Sequence, residues 1–301
     1  MAANANALPD PFDGVDLADL ERNLLRPRNL IGAILTGLTI LLTIVAIYPL
    51  FSVLMAVIAR GGAQVSAELF TELPPTVTET GGGIGNAILG TLKMVGIASL
   101  IAVPVGILAG IFLAEIGPQT RLAQFVRFSA KVLTGFPSVL AGVFAYGVVV
   151  LLMGDFSALA GGFALSILMI PVVVLTTEEA IRMVPARMRE AAIGMGCTQA
   201  QVVRHVLLPT AFPGILTGVM LAISRAAGET APLLFTAMFS MQWSESLMGV
   251  QPSLAVLIFN FAGSFAENQR QLAWAAALVL VVLVLITNLC AQALAPKQVR
   301  R

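Results

Sequence analysis

Six apolar runs, 30–58, 84–113, 132–153, 159–175, 211–238 and 272–294, alternate with polar stretches along the chain. A helix crosses the hydrocarbon core of a bilayer with about 20 apolar residues. The pattern therefore predicts an all-α polytopic membrane protein with six transmembrane helices. Tyr48-Pro49 predicts a kink in the first run, and Gly154-Asp155 a tight turn between the third and fourth. Gly106 and Gly110 stand four apart in the second run, a spacing that lets two helix backbones approach closely. A further apolar stretch, 250–263, is short and interrupted by Pro252 and Asn260. It is expected as an interfacial or re-entrant helix on the outer side rather than a seventh span.

Composition agrees with this reading. Of 301 residues, 58% are hydrophobic and 11% charged, against about 25% charged in soluble domains. Charge placement then sets the orientation, because cytoplasmic loops of membrane proteins are enriched in Lys and Arg. Of the 17 basic residues, Arg60 and Arg270 fall on one side, and Lys93 and Arg225 lie inside apolar runs. The remainder, among them Arg121, Arg127, Lys131, Arg182, Arg187, Arg189 and Arg204, fall on the other side with both chain ends. A multi-pass protein with both termini cytoplasmic follows. The N-terminal stretch is acidic and lacks the early apolar core of a signal peptide. Asp16 is placed to cap a short amphipathic helix there, with Leu17, Leu20 and Leu24 on one face. Residues 116–131 are expected as a short basic connector. Cys197 and Cys290 lie in different kinds of segment and suggest no disulfide.

The longest cytoplasmic insert is 176–209. Pro185 suits the first turn of a helix, which is expected to run through Glu190 and end near Gly196. Thr198 and Gln201 have capping-box spacing and start a second short helix expected to stop at Pro209. The result is an elbow of two short helices, with Ala191 and Ala192 beside Glu190 as a low-relief face. The residues alone leave two readings open, a docking surface for a soluble partner and a solvated loop.

Glu190-Ala191-Ala192, then Gly196 after three residues, then Val206 and Leu208-Pro209, resembles the EAA loop of ABC importer permeases. In that family the loop is the coupling helix that enters a cleft of the ATPase subunit. The resemblance implies a type I ABC importer permease fold, with Glu190, Ala191, Ala192 and Gly196 in the ATPase-docking element. A narrower similarity lies in 224–234 (SRAAGETAPLL), 213–218 (PGILTG), Leu73-Pro74-Pro75, 81–84 (GGGI), Gly90-Thr91-Leu92 and 176–180 (TTEEA). These segments resemble the PstA-type permeases of phosphate ABC importers. The resemblance implies four partners: an ABC ATPase homodimer, a second permease of PstC type, an extracytoplasmic phosphate-binding protein, and the lipid bilayer of the cell inner membrane. The similarity spans roughly 73–294 and leaves the acidic N-terminal stretch outside it; with the apolar pattern it divides the chain into a cytoplasmic segment at 1–29, a first helix with its external loop at 30–85, a type-1 transmembrane domain at 86–295 containing the EAA loop at 185–209, and a tail at 296–301.

Lys93, Arg225 and Glu229 are costly within apolar runs, at about 2.5–3.5 kcal/mol for a charge at a helix centre. Arg225 and Glu229 are four apart and share a helix face. Lys93 lies about 13 Å and Arg225 about 20 Å from the outer ends of their runs, at the rise of an α-helix. The three are candidates for the substrate pathway of an oxyanion, because the planar donors of Arg match phosphate bidentately. A structural Arg225–Glu229 ion pair is the competing reading. None of the lysines follows a glycine, so there is no phosphate-binding P-loop. The chain is expected to bind no cofactor itself, with ATP and Mg on the partner ATPase, and to be a non-catalytic subunit. The single histidine, His205, lies in the insert, which argues against an intramembrane protease. No basic-aromatic interleaving suggests nucleic acid. The alternatives carried forward are a permease for another oxyanion and an ATPase-independent channel or secondary transporter.

Overall fold

The computed structural model describes residues 27–79 and 81–294. The amphipathic helix expected around Asp16 and the tail at 296–301 lie outside them. The described chain forms two compact units that divide between Met55 and Ala56. The first holds α1 (Pro27–Ala56), an apolar helix that runs through Pro49 without a break. None of its described side chains up to Met55 is buried.

The second unit begins as a wide π turn at Val57–Gly61. A single-turn helix α2 (Glu68–Thr71) precedes a loop folded by backbone bonds, among them Gly83 N–H to Leu73 O at 2.9 Å. In that loop the Glu79 carboxylate accepts the Thr76 N–H at 2.8 Å, which holds its carboxyl below the ordinary carboxylate value. Then follow α3 (Gly85–Ile111), extended by a π turn at Phe112–Ile116, and α4 (Arg121–Thr134). Next come α5 (Ser138–Ala145), which continues to Met153, and α6 (Ala158–Arg182). The insert holds α7 (Ala186–Gly194) and α8 (Gln199–Val202). The chain closes with α9 (Leu208–Gly228), α10 (Ala231–Thr236), α11 (Leu254–Ala262) and α12 (Glu267–Leu294).

Among the described residues five helices are long and apolar enough to cross a membrane, and a sixth is counted if the bent pair α4–α5 is one span. That pair corrects two expectations. Residues 121–134 are a helix rather than a connector: the Thr120 hydroxyl caps it by accepting the Ala123 N–H at 3.1 Å. The helix bends by 108° at Gly135-Phe136-Pro137, so the apolar stretch after the bend starts at Ser138, not Val132. Arg127 made the stretch look solvated, but it turns inward.

The core of the unit is α3 laid along α6, the most extensive helix pair, with α9 packed against both. Met94, Ala98 and Ala102 of α3 meet Leu165, Met169 and Val173 of α6 and Ile215, Val219 and Ala222 of α9 in one buried cluster. The Gly106/Gly110 spacing serves this interface. A Cβ on Gly106 would stand 2.6 Å from Val173 Cβ, and one on Gly110 2.6 Å from Thr177 Cβ. Close approach of the two backbones is thus built into the sequence.

A second cluster joins Leu69 and Ile84 to Leu254, Leu257 and Phe261 of α11 and Leu272 and Ala276 of α12. It seats the short helix at 254–262 as a packed element, in keeping with the expectation that it is not a span. Its Leu254 N–H donates to the Thr91 hydroxyl at 2.9 Å. Arg60 sits over the Trp274 ring, its guanidinium carbon 5.0 Å from the centroid, a cation–π contact that gives Trp274 an electrostatic partner.

Candidate functional site

Two regions carry the candidate residues other than Lys93. In the insert, α7 starts after Pro185 and ends at Gly194, and the chain turns away at Gly196, with φ +87°. That left-handed backbone is one that side chains with a Cβ adopt only at a cost. The Thr198–Gln201 capping box is formed in both directions. The expected stop at Pro209 is corrected. Helix continues from Gln199 through a π turn at Val203–Leu207 into α9. Pro209 lies just past the π turn, where the bonding pattern shifts from i−5 to i−4, and it does not end the helix. The α6 helix likewise runs to Arg182, so 176–182 belongs to the fourth span and not to the insert. The elbow is therefore a single short helix, α7, hung between two long ones.

Of the residues expected to dock an ATPase, Glu190, Ala191 and Gly196 are exposed, whereas Ala192 is 1% exposed and packs into the core cluster. Ala192 seats α7 instead of lying on its open face, a correction to the pairing with Ala191. Residues that sequence reasoning passed over stand out beside it: Ile193 and Met195 are large, apolar and exposed, Met195 at 78%. The signal was there in the insert, two bulky apolar residues beside the helix-ending glycine.

The second region is the Gly228-Glu229-Thr230 break. The fifth span does not run on to Met238. Glu229 takes an extended ψ of 124° and ends α9, and α10 restarts at Ala231 against α5 and α6. Arg225 thus lies in the last turn of α9 instead of mid-helix. Its Nε donates to Glu229 Oε1 at 3.4 Å, and the two side chains are 45% and 17% exposed. Nearby, Asn288 of α12 donates to the Ser224 hydroxyl at 2.8 Å, beside a groove of about 270 Å³ lined by Thr217, Met220, Ser224, Asn288 and Gln292.

Lys93 does not join the pair. Its Nζ donates to Ser244 O at 2.8 Å, and Asn86 of the same helix reaches Gln242 O at 3.2 Å. The connector at 239–253 folds back over α3, and Lys93 fastens it. Among the described residues Arg225 and Glu229 pair with each other and Lys93 with neither. A charged amine in an apolar run is accommodated by a carbonyl from a loop 151 positions away, a partner that no local pattern reveals.

Two buried carboxylates escaped the sequence reading. Glu178 of α6 accepts Arg127 Nε at 3.0 Å and Nη2 at 2.8 Å, and pairs with Arg182 at 2.7 Å. Glu115, in the π turn after α3, pairs with Arg189 of α7 at 2.6 Å.

Comparison with known proteins places this geometry. Residues 106–300 match the model of the family described as "Binding-protein-dependent transport system inner membrane component". The phosphate transport system permease protein PstA of Yersinia pestis is 40% identical over 274 residues, covering 91% of this chain and 92% of that protein. The protein of the same name from Haemophilus influenzae is 40% identical over 256 residues, covering 85% and 90%. A probable PstA from Methanocaldococcus jannaschii is 37% identical over 246 residues, covering 81% and 86%. Among solved structures, an inward-facing MetNI methionine ABC transporter chain superposes with a TM-score of 0.56 at 21% identity, over 69% of this chain and 93% of that one. The fold is that of type I ABC importer permeases, all-helical among the described residues. The chain belongs to the phosphate transport system permease (PstA) family of binding-protein-dependent inner membrane components.

Proposed function

We propose that this chain is the permease subunit of an ATP-driven importer of inorganic phosphate. The observation that carries the reading is identity of about 40% over nine-tenths of the chain with proteins named for that role. The geometry supports it at both regions. An exposed helix with apolar Ile193 and Met195 beside Glu190 and Ala191 fits a cleft in a soluble partner. That partner is an ABC ATPase homodimer, which holds ATP and Mg; this chain binds no cofactor and catalyses no reaction.

Residues 86–295 act as the type-1 transmembrane domain, and a second permease of PstC type completes the pathway. An extracytoplasmic phosphate-binding protein delivers substrate to the loops at 60–85 and 239–271. Both termini and α7 lie in the cytoplasm. Arg225 offers the anion its outer guanidinium nitrogens, which have no protein partner among the described residues. Glu229 holds the Nε edge and repels the anion, so binding stays weak enough for release. Lys93 enters the pathway only through the loop it fastens.

The test is reconstitution of the complex in vesicles with labelled phosphate. ATP-dependent uptake that unlabelled phosphate suppresses, and sulfate and molybdate do not, is the expected result. Suppression by sulfate or molybdate instead assigns another oxyanion. Uptake without any ATPase sinks the reading in favour of a channel or secondary transporter.

A further inference from the structure

The docking helix is joined through the chain to two long helices, to α6 by Met183-Val184-Pro185 and to α9 by the helix that begins at Gln199. To α3 it has no covalent path nearby. The contacts at the inner end of α3 are non-covalent and converge on its terminal π turn, Phe112–Ile116. In that turn Gly117 N–H bonds back to Phe112 O at 3.0 Å, and the helix ends there, so later carbonyls find no N–H of their own helix.

Gln199, in the first turn of α8, donates its Nε2 to Glu115 O at 2.9 Å. Arg127 of α4 donates to Leu113 O at 3.4 Å while gripping Glu178 of α6. The Glu115 side chain is 8% exposed, and its carboxylate meets the guanidinium of Arg189, whose side chain is 35% exposed, at 2.6 Å. Arg189 precedes Glu190, so α7 presents Glu190 outward and Arg189 inward to α3. The carboxylate is the shielded partner and Arg189 the partly exposed one, so separating them leaves the Glu115 charge in a poorly solvated site.

We propose that Glu115 is a positioning residue that couples the docking helix to α3. With the pair intact, displacement of α7 by its partner moves three helices, α6 and α9 through the chain and α3 through Arg189–Glu115. Because α3 carries at its other end the Lys93 and Asn86 contacts that fasten the 239–253 connector, the pair extends the drive to the opposite face of the bundle. The inference rests on the proposed ATPase docking and deepens it. Without Glu115 the partner still docks and hydrolyses ATP, but α3 no longer follows.

The experiment compares Glu115→Gln, Arg189→Gln, Arg189→Lys and the exchanged pair Glu115→Arg with Arg189→Glu, each in the full reconstituted complex. ATPase co-purification, ATP hydrolysis and uptake are measured on the same vesicles. The expected result is unchanged co-purification and hydrolysis within about twofold, with uptake per ATP reduced about tenfold in the two glutamine variants, the scale of a typical coupling energy. Arg189→Lys and the exchanged pair recover most of that loss. A merely structural pair lowers the amount of assembled complex and leaves the ratio of uptake to ATP unchanged; that outcome, or an exchanged pair no better than the single variants, overturns the proposal. If the native complex carries a different oxyanion, the phosphate assignment falls, and the same ratio taken with that anion still decides the role of Glu115.

Discussion

Arg225 and Glu229 show what a single ion pair does when it sits at the end of a helix segment. The Nε–Oε1 contact is long at 3.4 Å and both groups retain solvent access, so the pair contributes little to stability by itself. Its exposure leaves the guanidinium available to an anion. Arg225→Gln is expected to lower phosphate uptake about tenfold, the loss of one charged hydrogen bond, with complex assembly and ATP hydrolysis retained. Unchanged uptake in a normally assembled complex removes Arg225 from the pathway and leaves a structural pair. Gly196 makes a different argument. At φ +87°, with nothing within 4 Å of a Cβ there, the cost of a side chain is purely conformational. Gly196→Ala is expected to cost about 1–2 kcal/mol in that conformation, weakening ATPase co-purification about 5- to 30-fold. Gly196→Asn, which tolerates this backbone, is expected to lose less. Equal behaviour of the two substitutions contradicts the assignment.

At the scale of the element, spans were easier to foresee than their ends. Apolar length alone announces α3, α6 and α12, because the bilayer selects for it. The ends at Arg182 and Gly228 and the helix 121–134 follow from contacts instead. Arg127 looks like a connector residue until Glu178 is placed beside it, and Pro209 looks like a stop until the π turn before it is seen. The α3–α6 interface lies between these cases, since the Gly106/Gly110 spacing was legible but the facing residues Val173 and Thr177 were not. Gly110→Val is expected to lower thermal stability in detergent, by about 1–3 kcal/mol for overpacking. Gly147→Val, where a Cβ meets nothing within 4 Å, serves as the comparison and is expected to change stability less. Similar losses at both glycines contradict close packing at Gly110.

For the whole molecule, the distribution of Lys and Arg sets an expected orientation. In a chain with Cys197 and Cys290 replaced by alanine, Met195→Cys and Glu79→Cys are expected to react with a membrane-impermeant thiol reagent from opposite faces of sealed vesicles, with Met195→Cys reached from the cytoplasmic face. Labelling of both from one face overturns the proposed topology. The start and turn of α7 were legible, because a helix start at Pro185, a left-handed glycine and a capping box are local devices with local causes. The burial of Ala192, the exposure of Ile193 and Met195 and the run of helix past Pro209 were not, since neighbours alone do not tell which side of α7 faces the core or where a π turn carries a helix on.

What the sequence determined by itself was the class of protein, its apolar helices, the short helix of the insert and the lack of a P-loop motif. These rest on composition and on spacings within a few residues, where backbone geometry and hydrophobic length act directly. The tertiary structure alone decided that Lys93 is capped by Ser244, that Glu178 takes Arg127, that the fifth span breaks at Glu229, and that Glu115 of the α3 π turn pairs with Arg189 of α7. Three of those four hinge on partners dozens to more than a hundred positions away, and the break is held by α5 and α6 packing against α10. Desolvation makes a charge in such surroundings seek whatever partner the fold brings near, and only the packed bundle specifies which residue that is.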